Sequence, residues 1–71
     1  MESMSEEQMV NVLTGMLENT PDGILDDGEG NEAEVRSVRS FDSAGVLTMN
    51  KGLVLCLADG SEFQLTVVRS K

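Results

Sequence analysis

Gly52-Leu-Val-Leu-Cys-Leu-Ala-Asp-Gly-Ser-Glu-Phe-Gln-Leu-Thr-Val-Val68 holds two apolar runs, residues 52–57 and 62–68, separated by Ala58, Asp59, Gly60 and Ser61. An Asp-Gly pair between two such runs marks a β-hairpin. The side chains select its register. A two-residue turn of Asp59 and Gly60 would set Phe63 opposite Cys56 and Leu65 opposite Val54. It would strand Leu53, Leu55 and Leu57 on one face with Glu62, Gln64 and Thr66. A three-residue loop of Ala58, Asp59 and Gly60, with Gly60 left-handed in a bulge, pairs Leu55 with Phe63 and Leu53 with Leu65 instead. This register separates apolar from polar, and a slip of one residue would turn every side chain to the other face.

Upstream, residues 34–40 are ambiguous. Val35, Val38 and Phe41 recur at helical spacing, but two valines in seven residues followed by a loop favour a strand. Residues 40–45 read as a tight connection, with Phe41, Val46 and Leu47 dropping into the core. Residues 48–51 supply another turn.

The N-terminal third predicts a helix over residues 5–18. Ser5 and Gln8 have capping-box spacing, with Ser3 and Glu6 as an alternative frame, and Glu6 and Glu7 suit the positive end of the helix dipole. Met9, Val10, Leu13, Met16 and Leu17 form the apolar stripe, with Asn11 and Thr14 outward. Asn19, Thr20 and Pro21 end the helix, Asn19 as a residue that tolerates a left-handed turn. Residues 21–33, rich in Gly and Asp, read as an exposed acidic loop whose middle is pinned to the core by Ile24 and Leu25. The fold class is therefore α+β, with one N-terminal helix packed on a three-stranded antiparallel meander (strands about 34–40, 52–57 and 62–68) that ends in the C-terminal hairpin. At 71 residues the chain has room for a single domain, residues 1–71, with a thin core.

Cys56 is the one cysteine and histidine is absent, so neither an internal disulfide nor a zinc site of Cys and His can be built. A thiol with no histidine to activate it reads as a small hydrophobe rather than a nucleophile. The N-terminus lacks the basic start and long apolar run of a secretory signal, which points to the cytoplasm and away from a membrane. No phosphate loop, dinucleotide fingerprint or nucleophile elbow is present. The expectation is a protein that is not an enzyme and carries no cofactor.

The net charge is −8, and it is unevenly placed. Residues 1–34 carry ten acids and no Lys or Arg, whereas residues 35–71 carry three acids and five bases. Such a field repels nucleic acid and anionic membranes, which reward clustered Lys and Arg, and attracts a basic protein surface. Asp22, Asp26, Asp27, Glu29, Glu32 and Glu34 are the candidate partner-binding residues. As a calcium loop the segment fails, since counting from Asp22 puts Ile24 third and Asp27 where the EF-hand glycine belongs. The expected role is an inhibitor or adaptor that docks on a basic protein, including one whose basic surface serves nucleic acid. The alternative is a small assembly protein that self-associates through the sheet. For that role Val54, Cys56 and Val68 form a candidate apolar patch on the face away from the helix, and the edge of a terminal strand is a second candidate.

Overall fold

In the computed structural model, which describes residues 4–71, Ser5 opens helix α1 (Glu6–Glu18) with a capping box. Ser5 Oγ accepts from the Gln8 backbone N–H at 3.1 Å, and Gln8 Oε1 accepts from the Ser5 N–H at 2.8 Å. Two of the helix's orphan donors are thereby satisfied. The frame beginning at Ser3 lies outside the described residues. At the other end Asn19 does not turn left-handed (φ −107°); its backbone N–H and its side-chain Nδ2 both donate to Gly15 O. The reversal falls three residues later, in a 3-10 turn (Pro21–Gly23) where Asp22 has φ 56° and Gly23 φ 69°.

Four strands follow: β1 (Ile24–Asp26), β2 (Glu32–Ser40), β3 (Lys51–Leu57) and β4 (Glu62–Val67). They pair antiparallel in the order β1-β2-β3-β4, an α+β fold with one strand more than the sequence reading gave. The extra strand is β1, inside the expected acidic loop, and β2 accordingly starts at Glu32. Leu25 pairs with Ala33 and both pack against the core, whereas Ile24, opposite Glu34, lies on the other face of the ladder and does not pin the loop to the core as expected.

The C-terminal hairpin has the three-residue register, with Leu53 opposite Leu65 and Leu55 opposite Phe63. Gly60 has φ 92°, and its N–H donates to Leu57 O while the Leu57 N–H donates to Ser61 O. A side chain at Gly60 would strain this left-handed position.

In β2, Val35 pairs with Leu57 and Ser37 with Cys56, so Arg36 is an extra residue in a β-bulge. The bulge resets the alternation and puts Val35 and Val38, three apart, on the core side together. It resolves the ambiguity of this segment: a helical spacing of valines is compatible with a strand that carries one bulge.

The core is Val10, Leu53, Leu55 and Leu57, with Leu13, Leu17, Leu25, Ala33, Val35, Val38, Leu65 and Val67 around it. Helix α1 presents Val10, Leu13 and Leu17 to the sheet. Met9 and Met16 are exposed, the latter 64%, and Thr14 is half-buried with Oγ1 donating to Val10 O at 2.8 Å. The helix is thus rotated from the expected stripe: a methionine flank faces water, because the narrow sheet accepts only the central ridge.

Between β2 and β3, Phe41–Ala44 forms a one-turn helix, α2, capped by Ser40 Oγ and closed by Gly45 at φ 75°. Phe41 is buried and Val46 half-buried, as expected, but Leu47 is fully exposed and does not enter the core. The Phe41 ring lies over Gly52, where a β-carbon would come 2.5 and 2.6 Å from ring carbons Cε2 and Cζ and would also collide with the Leu65 carbonyl oxygen. Only glycine fits there.

Candidate acidic hairpin

All six candidate acids lie on or beside the β1–β2 hairpin, and all six are exposed. The ladder sets Asp26 opposite Glu32 and Ile24 opposite Glu34, so Asp26, Glu32 and Glu34 share the face turned away from Leu25 and Ala33. Asp22 stands in the turn that leads into β1, and Asp27 and Glu29 occupy the connecting loop.

That loop has a defined architecture. Asp27 Oδ1 accepts from the N–H groups of Glu29 (2.8 Å) and Asn31 (3.2 Å), while Oδ2 accepts from Asn31 Nδ2 (2.7 Å). The Asp27 N–H donates to Asn31 O at 3.2 Å, and Asp26 Oδ1 accepts from the Gly28 N–H at 2.6 Å. Gly28 (φ 82°) and Gly30 (φ 90°) make the two left-handed steps that aim these amides inward. The Asn31 side chain, and after it the Glu29 N–H, hold the Asp27 carboxyl below the ordinary value for an aspartate.

The six carboxylates consequently divide by role. Those of Asp26 and Asp27 are engaged in shaping the loop. Glu29, Glu32, Glu34 and Asp22 are exposed charges on a shaped support. Among the described residues no three carboxylates or thiols converge as a metal cage would require.

The helix acids lie elsewhere. Glu6 Oε2 accepts from the Arg69 N–H at 2.8 Å, and Glu7 lines a cleft with Lys51, Asn50 and Phe41. Both sit where β3 begins and β4 ends, beside basic residues, whereas the hairpin's pairs join β1 to the start of β2. Glu6 and Glu7 therefore belong to a surface separate from the hairpin, whose own stretch, residues 22–34, contains no Lys or Arg.

The second candidate set does not form one patch. Val54 is 2% exposed, Cys56 is a half-buried free thiol, and Val68 lies beyond the end of β4 at 66% exposure. Val54 has Arg39 and Gln64 as its register partners, long side chains whose stems can cover an apolar neighbour. Among the described residues the large apolar side chains that reach solvent, besides Val68, are Met4, Met9, Val12, Met16, Leu47, Met49 and Phe63. For Met9 and Met16 the missed signal was the width of the stripe, since five apolar positions on a fourteen-residue helix exceed what three long strands can cover.

No protein-family model, curated protein or solved structure matches this chain. Among the described residues no helix is long and apolar enough to cross a membrane.

Proposed function

We propose that this protein is a non-enzymatic binding module that docks its β1–β2 hairpin on a basic protein surface, acting as an inhibitor or adaptor. The observation that carries this reading is the hairpin itself, in which six exposed acids fall within residues 22–34 with no intervening base, on a loop that internal hydrogen bonds hold in shape. A preorganised acidic surface loses less entropy on binding than a flexible acidic tail would. Its long-range field would speed encounter with a cationic partner, including one whose basic surface otherwise holds nucleic acid. The cytoplasm suits this role, since a lone thiol stays reduced there.

The test uses poly-L-lysine as the basic probe, titrated calorimetrically into the full chain. Binding should weaken steeply with added salt. Replacing Glu29, Glu32 and Glu34 by Gln should weaken it by about tenfold, and more than replacing Glu6, Glu7 and Asp42, which removes the same charge from the other end of the sheet. Equal losses from the two triple variants would leave net charge alone as the cause and overturn a directed hairpin contact.

A further inference from the structure

We propose that a second copy of this chain adds to the free edge of β4, joining two four-stranded sheets into one continuous antiparallel sheet about a dyad at Leu65. The hydrogen-bond pattern of the hairpin decides which backbone groups are available. Leu57 exchanges bonds with Ser61 and Gly60, so by alternation Phe63, Leu65 and Val67 turn their N–H and C=O groups toward β3. Glu62, Gln64 and Thr66 turn theirs outward, where the sheet order leaves them no neighbouring strand among the described residues.

The other open edges carry protection that β4 lacks. β1 is three residues long and ends in Asp26, within the acidic hairpin. Beyond β1, the outer side of β2 carries the bulge at Arg36 and a second charge at Arg39. Short length, charge and bulges are the devices that keep edges from pairing. Within β4 there is no proline, bulge or lysine, and its one charge, Glu62, is at its start.

Side chains fit the same register. A dyad at Leu65 sets Leu65 against its own copy, Phe63 against Val67 and Gln64 against Thr66, which keeps apolar with apolar on one face and polar with polar on the other. Phe63 is 53% exposed, and Met9 borders a cleft with Met4, Val67 and Val68 on the flank of α1 nearest β4. Met16 is two turns further along that flank. These side chains would line the seam of the paired sheets.

Charge and area both favour a second copy. Residues 62–71 carry Glu62 against Arg69 and Lys71, so the seam lies in a stretch of a −8 chain that is not acidic, at the opposite edge from the hairpin. The accessible surface is 5481 Å², against about 4,300 Å² for a compact monomer of this mass. The excess, about 1,200 Å², is spread over the whole chain and would accommodate the roughly 800 Å² that each partner contributes to a standard interface.

Sedimentation equilibrium of the full chain across micromolar concentrations, with amide hydrogen exchange on the same samples, tests the proposal. The expected result is a species of twice the 7.7 kDa chain mass, with the Gln64 and Thr66 amides protected only when it is populated. Added salt should leave this association unchanged or strengthen it, the opposite of its effect on poly-L-lysine binding, so the two readings fail separately. Phe63→Lys should weaken association by about tenfold or more, from a charge forced into the seam. Gln64→Pro, which removes an outward N–H and no β3 bond, should do the same and serves if the lysine variant misfolds. A monomer at high micromolar concentration, or a dimer in which the Gln64 and Thr66 amides exchange freely, would overturn it.

Discussion

Asp26 stands directly across the β1–β2 ladder from Glu32, two carboxylates on the same face with no base between them. Like charges so placed oppose pairing by about 0.2–1 kcal/mol. Glu32→Lys should therefore raise stability by a few tenths of a kcal/mol up to about 1 kcal/mol, read from urea unfolding, while it reduces affinity for a basic probe. Stability and binding moving in opposite directions would mark the pair as kept for its field. A loss of stability on Glu32→Lys would show that the two side chains do not interact.

Asp27 links the loop to pH. Its folded-state pKa lies below the unfolded value, so its contribution is fully present above about pH 4 and is lost as pH falls through the folded value. NMR titration should find its carboxyl ionising below an unstructured aspartate. The amides of Glu29 and Asn31 should lose protection in the same acidic range. Asp27→Ala should release both amides at neutral pH, and unchanged exchange there would refute the assigned network.

Two glycines should respond in opposite directions to alanine. Gly52→Ala meets Phe41 and the Leu65 carbonyl and should cost about 1–3 kcal/mol, whereas Gly15 in α1 has no neighbour within 4 Å of the added carbon. Gly15→Ala should stabilise by up to about 1 kcal/mol through helix propensity. Urea midpoints of the two variants measure both.

The connection between β2 and β3 divides sharply into a core residue and bystanders. Phe41, at 5% exposure, should cost about 3–5 kcal/mol when truncated to alanine. Leu47→Ser and Met49→Ser, at fully exposed positions, should change stability by less than about 0.5 kcal/mol. Thermal unfolding monitored by circular dichroism distinguishes these outcomes.

The parts of the fold legible in the sequence were those where local chemistry and tertiary packing agree. Ser5 and Gln8 announce the helix start, and the pairing of Leu53, Leu55, Phe63 and Leu65 admits one sensible register. Elsewhere the determining contacts are distant in sequence or too brief to form a pattern. β1 contributes only Leu25 to the core, too little for an alternation, and the turn that Asp27 and Asn31 close joins it to β2. The rotation of α1, which exposes Met9 and Met16, is set by the width of the sheet beneath it, a property of the assembled strands. Alternation places Val54 on the face away from the helix but does not show what its neighbours cover, and Val54 is buried. The acidic residues were legible as a group, but their division into two surfaces follows from Glu6 meeting the Arg69 backbone at a separation of 63 residues.

Because the Asp27 turn is closed by carboxylate-to-amide bonds spanning five residues and by no Lys or Arg, electrolyte can mute the hairpin's potential without remodelling its shape. The same backbone geometry is thus presented at low and high ionic strength. A salt titration of any complex formed there isolates Coulombic attraction, a separation that loops cross-linked by ion pairs do not permit.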